Sequence, residues 1–367
     1  MILAKVAFAI KAKARQLGFT LTGITLPKRP NHLDIFQGWL DAGRHASMAY
    51  LADERAIERR SDPCLILPEC RSILVLGTPY FNPHVYEQRL QSEHGSREAG
   101  RVAAYAWGDD YHLVLPQRMQ ALVTFLEELL GQPVPNRWYT DTGPVLEREL
   151  AMRAGLGWIG KNTCLIAPGK GSYFFLSEIF LGVELLPDEP FSSDQCGACT
   201  RCIDACPTGC IRPDRTLDAG RCISFQTIEN KVNIPDDLRP LSAEWIFGCD
   251  VCQMVCPWNI RFAHEVGDPA FAPRPDVPTP SLVQELEITP EQFNQKFKDS
   301  PLKRTKRRGY LRNIAIAAGN SHNMDFLPAL EQVQNDAEPL VREAAEWAIR
   351  QLGLVGAHGT RSGPSDE

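Results

Sequence analysis

Apolar and polar positions divide the chain into a first half with mixed periodicities and a last quarter with mainly helical ones. Over residues 1–187, apolar residues at helical spacing alternate with short continuous apolar runs, which predicts an α/β (α+β) domain. The predicted helices are Ile2–Leu17, Leu33–Leu51, Leu115–Leu130 and Pro144–Ala154, and the predicted strands are Ser72–Gly77 and Asn162–Ala167. The longer apolar stretch Tyr173–Leu186 is interrupted by Gly182, so we predict a buried pair of strands there.

The chain after residue 187 falls into four further segments. Residues 188–269 hold most of the cysteines together with many turn-forming residues. Residues 270–280 are expected to be an extended linker, because four of these eleven residues are proline. Residues 281–353 return to a helical pattern, and the tail 354–367, which contains Gly, Ser and Pro, is expected to be disordered.

Composition and charge exclude several classes of protein. The 367 residues carry 39 Lys and Arg against 45 Asp and Glu, a net charge of −6, which excludes a uniformly basic nucleic-acid coat. No run of eighteen apolar residues occurs, so no membrane span is expected. Lys5, Lys11 and Lys13 interrupt the apolar residues of the N-terminus, which indicates an amphipathic helix and not a secretory signal. We expect a cytoplasmic monomer with no membrane partner.

Cysteine is the most informative residue type. Nine of the twelve cysteines lie between Cys196 and Cys256, and such crowding in a chain expected to be cytosolic indicates metal binding. The first run, Cys196 to Cys206-Pro207, has the 2-2-3 spacing of bacterial ferredoxins, in which the fourth cysteine ligates the other [4Fe–4S] cluster.

The second run lacks a cysteine at the symmetric position, 246, so Cys222 is the natural substitute. By the same crossing rule, the first cluster would be bound by Cys196, Cys199, Cys202 and Cys256, and the second by Cys206, Cys222, Cys249 and Cys252. Cys210 remains and is expected to be a small buried residue beside a cluster. The alternative is structural zinc in two four-cysteine sites, although zinc knuckles usually separate paired CxxC arms by a longer loop.

The segment Tyr139–Lys161 contains the candidate catalytic residue, Asp141. It stands shortly before Gly143-Pro144, where a helix is predicted to begin. Capping of that helix is the commoner use of such an aspartate, and general acid catalysis is the alternative. The later glycines in the segment follow a helix and do not open one, so they are weak evidence for a dinucleotide loop.

Taken together, these motifs resemble the epoxyqueuosine reductase family over about residues 1–350. The matching signatures are Arg60-Ser-Asp-Pro63, Trp107-Gly-Asp-Asp-Tyr-His112, Asp141-Thr-Gly-Pro144, Gly155-Leu-Gly-Trp-Ile-Gly-Lys-Asn162, Gly171-Ser-Tyr173, the ferredoxin run, Arg221-Cys-Ile-Ser224 and Gly248-Cys-Asp-Val-Cys252. The resemblance implies a cobalamin-dependent iron–sulfur enzyme that reduces the epoxide of epoxyqueuosine in tRNA to queuosine, the last step of queuosine biosynthesis. It also implies that Asp141 donates a proton to the epoxide oxygen.

The resemblance further implies that residues 1–187 bind cobalamin. Its contacts, carried over by motif position, would be Arg60, Ala103, Asp141, Asn162, Leu165, Ser172 and Leu176. The alternatives are ordinary core packing for the two leucines and backbone-binding turns for Asn162 and Ser172. The sequence lacks an Asp-x-His-x-x-Gly motif, because Leu115 stands where Asp110-Tyr-His112 would need glycine, so a histidine ligand below the cobalt is not expected.

The segment from Lys296 to Arg312 carries eight basic residues and one acidic residue, Asp299. The basic residues are Lys296, Lys298, Lys303, Arg304, Lys306, Arg307, Arg308 and Arg312. A solvated helix face usually mixes both signs, so this excess favours phosphate contact, and with the resemblance it predicts tRNA binding. The segment leads into two apolar helical patterns, which look like a HEAT-type pair, and Pro339 suits the first turn of the second.

Two rival functions share some of these features. A corrinoid reductive dehalogenase acting on a small molecule would use the same cofactors but would not need the basic segment. A non-enzymatic electron carrier or zinc-stabilised RNA-binding module would explain the cysteines alone. The expected partners are tRNA carrying epoxyqueuosine in its anticodon loop and an external one-electron donor.

Overall fold

The computed structural model describes residues 2–92 and 98–359. Its strands are β1 (Leu21–Thr25), β2 (Ser72–Pro79), β3 (Arg101–Val102), β4 (Asn136–Tyr139), β5 (Trp158–Ile159), β6 (Leu165–Ile166), β7 (Phe174–Leu181) and β8 (Trp245–Phe247). Its first ten α-helices are α1 (Ile2–Gln16), α2 (Leu33–Asp41), α3 (Glu54–Ser61), α4 (Pro83–Ser92), α5 (Tyr111–Leu130), α6 (Glu147–Arg153), α7 (Arg201–Asp204), α8 (Ile223–Ile228), α9 (Val251–Met254) and α10 (Pro257–Phe262). The helices of the C-terminal region are α11 (Leu282–Leu286), α12 (Pro290–Lys296), α13 (Lys306–Asn320), α14 (Leu327–Val333) and α15 (Pro339–Gly359).

The chain folds into two units, each built from three separate segments. The first unit comprises Met1–Pro83, Gly108–Gly220 and Val251–Ala272, and the second comprises His84–Trp107, Arg221–Asp250 and Pro273–Glu367. Segments of the two units alternate along the sequence, so this division does not test the domain boundaries expected from the sequence. Those boundaries remain predictions. The expected disordered tail is helical as far as Gly359, and residues 360–367 lie outside the described residues.

The first unit is organised around an antiparallel sheet in the order β1-β2-β7-β4. Helix α6 covers one face, where Leu150 and Ala151 join an apolar cluster with Val75 of β2 and Phe180 of β7. Helix α5 begins against the opposite face, where Tyr111 stacks on Phe175 with 4.3 Å between ring centroids. The sheet is therefore buried on both faces, which explains the continuous apolar runs in β2 and β7.

The second unit contains a two-stranded parallel ribbon of β3 and β8 and the C-terminal helices α11–α15. Helix α13 is central, because it packs against α15, α11 and β8, and residues Gly309–Gly319 are buried without interruption. This confirms the predicted helical C-terminal region. Pro339 is the first residue of α15, as predicted, and the predicted linker 270–280 contains neither an α-helix nor a β-strand.

Several element predictions need correction. The helix predicted over Leu33–Leu51 ends at Asp41, and Gly43 next to its end has a left-handed φ of 67°. The helix predicted from Leu115 begins at Tyr111, because the Asp110 side chain accepts a hydrogen bond from the His112 N–H and caps it. The strand predicted over Asn162–Ala167 is reduced to the two residues of β6.

The strand pair predicted over Tyr173–Leu186 is wrong. The stretch contains the single strand β7, whose neighbours β2 and β4 come from distant parts of the sequence. Gly182 follows the strand, and a Cβ there would lie 2.9 Å from the Pro135 side chain. The glycine thus permits close approach of another segment and does not mark a hairpin turn.

Candidate active site and metal centre

Asp141 occupies a loop between β4 and α6 and has a left-handed φ of 61°. Helix α6 begins only at Glu147, and its N-cap position is Leu146. The interpretation of Asp141 as the helix cap is therefore wrong, and so is the predicted helix start at Pro144. A non-glycine residue in this region of backbone space is strained by roughly 1 kcal/mol or more, and such residues occur often at functional sites.

The Asp141 carboxylate is half-exposed, with 48% of its side chain accessible, and is held by two side chains of α5. The Tyr111 hydroxyl donates to its Oδ2 over 2.9 Å, and His112 Nε2 lies 3.4 Å from the same oxygen. His112 Nδ1 lies 2.8 Å from Asp110 Oδ1. Both nitrogens of His112 thus face carboxylates.

The charge state of His112 follows from these neighbours. Burial lowers the pKa of His112, but hydrogen bonds to Asp110 and Asp141 and the charges of both carboxylates outweigh it and raise the pKa to about 9. The ring is therefore a cation at neutral pH, and it presents a donor to Asp141.

Two further carboxyl groups lie near Asp141, and the sequence analysis did not identify either. The Asp141 N–H donates to Glu147 Oε1 over 2.6 Å. Burial, followed by the charge of Asp141, raises the pKa of Glu147 to about 7. Glu178 of β7 is fully buried, and burial, then the charges of Glu147 and Asp141, raise its pKa well above the usual range. Its signal in the sequence was a charged residue in an otherwise buried apolar strand.

The four cysteines assigned to the first cluster lie around one cavity in the first unit. Cys196, Cys199, Cys202 and Cys256 line it together with Asn162 and other residues. Burial, followed by the charges of the other three cysteines, raises the pKa of the Cys202 thiol to about 11. Soft sulfur ligands suit an iron–sulfur cluster, so a set of four cysteines around one cavity fits the predicted group.

Neighbouring residues hold the cysteine loops in place. Lys161 Nζ donates to the carbonyl oxygens of Gly197 over 2.8 Å and of Cys199 over 2.9 Å. Trp158 Nε1 lies 3.5 Å from Cys196 Sγ, and the Trp158 ring meets the Trp258 ring edge-on. Lys161 therefore stabilises the loop that contains Gly197 and Cys199.

The four cysteines assigned to the second cluster are divided between the two units, so this assignment stays a prediction. Cys206 and Cys252 belong to the first unit, where α7 packs against α9, and Cys222 and Cys249 belong to the second. Cys210 is 3% exposed, with Sγ 3.4 Å from Cys206 Sγ, so it is buried as expected. In the described part of the chain, no three His, Cys, Asp or Glu side chains stand close enough together to hold a single metal ion.

The predicted cobalamin contacts are distributed over several elements. Arg60 lies near the end of α3, is 7% exposed and stands over the Phe36 ring. Asn162 Oδ1 accepts from the Cys164 N–H over 3.3 Å, and Ser172 Oγ donates to Gln253 Oε1 over 2.8 Å. Asn162 therefore binds backbone in a turn, as the alternative interpretation had it, whereas the Ser172 hydroxyl binds the side chains of Gln253 and Asn259 and no turn backbone.

The remaining contacts are apolar. Leu165 is buried in the α6-facing core, and Leu176 is half-buried against it. Thr140 Oγ1 donates to the Leu176 carbonyl oxygen over 2.8 Å, which places Asp141 next to this apolar patch. Ala103 is buried in the second unit.

The basic residues predicted to bind tRNA lie in the second unit and separate into three groups. Arg312 is wrongly included: it is 1% exposed, and its guanidinium donates to the carbonyl oxygens of Gln226, Asn230 and Val232. Three others are in ion pairs, namely Lys296 with Glu285, Arg304 with Glu229 and Arg307 with Asp336. Among the described residues, Lys298, Lys303, Lys306 and Arg308 have no acidic partner, and the three lysines are exposed.

Comparison with known proteins first defines the class of protein to which the chain belongs. Residues 195–259 match the family described as "4Fe-4S double cluster binding domain", so the chain is a double-cluster iron–sulfur protein. Residues 60–142 match "Epoxyqueuosine reductase QueG, DUF1730". The chain is 41% identical over 352 residues to epoxyqueuosine reductase of Xanthomonas campestris, covering 95% of this chain and 96% of the relative. The corresponding protein of Pseudomonas aeruginosa is 39% identical over 351 residues, covering 95% of each chain. The chain belongs to the epoxyqueuosine reductase family, a family of oxidoreductases.

Solved structures agree with this assignment. A crystal structure of epoxyqueuosine reductase with an epoxyqueuosine-modified tRNA-Tyr stem loop has a TM-score of 0.84 and 29% identity, covering 98% of this chain and 95% of that one. The Bacillus subtilis enzyme, with its catalytic aspartate loop swung out of the active site, has a TM-score of 0.83 and 30% identity, covering 95% and 90%. Within the described residues, no helix combines the length and apolar composition needed to cross a membrane.

Proposed function

We propose that this protein reduces the epoxide of epoxyqueuosine in tRNA to queuosine, the last step of queuosine biosynthesis, using cobalamin and two [4Fe–4S] clusters. The observation that carries the proposal is the setting of Asp141: a half-exposed carboxylate on a strained loop, held by Tyr111 and His112 in the unit that contains the cavity of the first cluster. The Bacillus subtilis relative has a catalytic aspartate loop, and Asp141 is the corresponding candidate here.

Asp141 would donate a proton to the epoxide oxygen as its carbon–oxygen bond breaks. The Tyr111 hydroxyl and the His112 cation hold the carboxyl group at its Oδ2. A general acid must be positioned within hydrogen-bond distance of the atom it protonates, and these contacts fix its position before the substrate binds.

Cobalamin would supply a strongly reducing cobalt centre next to this acid. The residues suited to hold it are Leu176, a half-buried residue whose carbonyl accepts from Thr140 next to Asp141, Leu165 of the same apolar cluster, and Asn162, which also lines the cavity of the first cluster. The remaining contacts, Arg60, Ala103 and Ser172, stay predictions.

The second unit would bind the tRNA backbone. Lys298, Lys303, Lys306 and Arg308 offer positive charge that no acidic side chain of the described residues neutralises, and helices α13 and α15, which pack together, would form the HEAT-like pair that carries it. Loop nucleotides are already partly unstacked, so presenting the modified base to the acid costs little.

The proposal is tested with anaerobically purified protein loaded with iron, sulfide and cobalamin. We expect corrinoid and iron–sulfur absorption and, with reductant, conversion of epoxyqueuosine to queuosine in tRNA, measured by mass spectrometry of nucleosides. Asp141→Asn should keep both absorption spectra and lose turnover by about 10²-fold or more, the usual contribution of a general acid. Loaded wild-type protein that leaves epoxyqueuosine unchanged would refute the function, and an active Asp141→Asn would refute the role of the acid.

A further inference from the structure

Trp158 of β5 donates a hydrogen bond to one of the cysteines assigned to the first cluster. Its indole Nε1 lies 3.5 Å from Cys196 Sγ, and Trp158 is only 3% exposed. An indole N–H can only donate, so the sulfur is the acceptor, and a sulfur that carries negative charge accepts more strongly than a neutral one. The contact is therefore made with the atom through which Cys196 would bind iron.

Two charged side chains fix the position of this donor relative to its acceptor. The Arg215 guanidinium donates to the carbonyl oxygen of Ile159, the residue next to Trp158 in β5, over 2.9 Å, and also to Asp194 Oδ2. Asp194 Oδ1 accepts the N–H of Cys196 over 2.9 Å. Strand β5 and the loop of Cys196 are thus joined through Arg215 and Asp194, which holds the indole against the sulfur.

Apolar side chains surround the hydrogen bond. Trp158, Ile166 and Cys256 form a buried cluster against which Phe191 and Trp258 pack. The rings of Trp158 and Phe191 stack with 5.7 Å between their centroids, and the Trp258 ring lies edge-on at 4.8 Å. These rings limit the access of water to the indole N–H, so its bond to the sulfur is stronger than it would be in solvent.

The reduction potential of an iron–sulfur cluster is sensitive to such a bond. Reduction by one electron adds negative charge that spreads over the iron and its sulfur ligands. Apolar surroundings disfavour this added charge, whereas an N–H donated to a ligand sulfur stabilises it, so the two features change the potential in opposite directions. A donor to Cys196 Sγ therefore raises the potential of the cluster to which this sulfur belongs.

Resting on the proposed function, in which Cys196 binds the first cluster, we propose that Trp158 sets the reduction potential of that cluster through the Cys196 sulfur. The hydrogen bond offsets the apolar surroundings and makes the cluster easier to reduce. The step is the addition of one electron from the external one-electron donor, and no bond is broken and no proton is transferred. Trp158 contacts a ligand and not the reacting atoms, so it is a positioning residue.

The test is a reductive titration of the anaerobically purified full chain carrying its clusters, followed by electron paramagnetic resonance. Cobalamin is left out so that only the clusters are titrated. Trp158→Phe keeps an aromatic ring against Phe191 and removes the N–H. We expect the reduction equilibrium constant of one cluster to fall about tenfold, which is about 59 mV for a one-electron couple, and that of the other cluster to keep its wild-type value.

The matched control is Trp258→Phe. Trp258 lines the same cavity, but its Nε1 donates to the backbone carbonyl oxygen of Gln195 over 3.3 Å and not to a sulfur. This variant should keep both wild-type potentials. Unchanged potentials in Trp158→Phe overturn the proposal. Equal shifts in both variants also overturn it, because they would come from lost aromatic packing and not from the hydrogen bond.

A second measurement leaves Trp158 in place and covers the case in which Trp158→Phe fails to fold. With tryptophan labelled with 15N in its indole ring, the reduced cluster should show a magnetic coupling to 15N in pulsed experiments, and Trp258→Phe should keep it. Absence of the coupling overturns the proposal. Wild-type protein that carries its clusters and cobalamin but leaves epoxyqueuosine unchanged would refute the proposed function instead, and the potentials would still decide the role of Trp158. A chain that takes up no cluster would overturn both.

Discussion

Replacing Arg312 with alanine tests whether this residue stabilises the second unit or binds tRNA. Its guanidinium donates to three backbone carbonyl oxygens, at 2.9 Å to Asn230 and 2.6 Å to Gln226 as well as to Val232, and to Asn313 Oδ1. Burial, then the charge of Arg239, lower the pKa of Arg312 to about 10, so it remains a cation at neutral pH. The side chain therefore connects α13 to the segment that follows α8, within the second unit.

The cost of the replacement follows from the groups it leaves behind. Each buried carbonyl oxygen that loses its donor costs about 1 kcal/mol or more, so three of them together cost roughly 3–5 kcal/mol. For a unit of this size, 1 kcal/mol corresponds to roughly 2–4 °C in Tm, so Arg312→Ala should lower Tm by on the order of 10 °C.

The control is Arg308→Ala, which removes the same side chain one turn earlier on α13, where it is only partly buried. We expect its Tm to stay within about 2 °C of wild type, because surface substitutions usually change stability by less than about 0.5 kcal/mol. Both variants are compared by circular dichroism melting and by tRNA binding in the cold. An Arg312→Ala protein that melts like wild type but binds tRNA weakly would refute the structural role.

Three further predictions concern separate parts of the molecule. Arg308→Ala should weaken tRNA binding for all sequences and reduce the slope of log K against log salt by about 1, and an unchanged slope would remove this residue from the interface. The pKa of His112 in the folded protein is raised to about 9. Its contribution to stability is therefore complete below about pH 6.5 and is lost as the pH rises through 9. Urea unfolding should show this decline in the free energy of unfolding, and His112→Gln should lack it. Lys161→Met removes two hydrogen bonds to the loop of the first cluster. A chelator should therefore bleach the iron–sulfur absorption of this variant several-fold faster than that of wild type. The control is Lys170→Met, which alters a lysine with no side-chain partner among the described residues. Equal bleaching rates would show that Lys161 does not support the cluster.

Elements defined by local signals could be predicted from the sequence. Helix α1 begins and ends within one residue of its prediction, and Pro339 marks the start of α15, because periodicity and the N1 preference of proline act over one turn. The apolar run around β7 could not be assigned in this way, because its two neighbours come from residues far away in the chain. A buried central strand and a buried hairpin look alike in a single sequence.

The residues of the candidate site also differ in whether local sequence signals or long-range packing determine them. Of the four cysteines assigned to the first cluster, Cys196, Cys199 and Cys202 follow from a local spacing and Cys256 from the crossing rule, and all four line one cavity. Arg312 was not distinguishable from Arg308, because both are basic residues on one amphipathic-looking segment and only the packing of α13 buries one of them. Glu178 was visible as a charge in an apolar strand, but its complete burial depends on β2 and β4, which come from residues far away in the chain.

The loop before α6 shows why a capping aspartate and a catalytic one lead to different chemistry. A carboxylate at a helix N-terminus is normally stabilised as an anion, which lowers its pKa and makes it a poor proton donor. Here that position next to the helix belongs to Glu147, and burial raises its pKa to about 7 in spite of the helix. Asp141 instead lies six residues earlier, on left-handed backbone, and presents its carboxyl to Tyr111 and His112. The strained loop thus separates Asp141, the candidate acid, from Glu147, the carboxyl group at the start of the helix whose pKa burial raises to about 7.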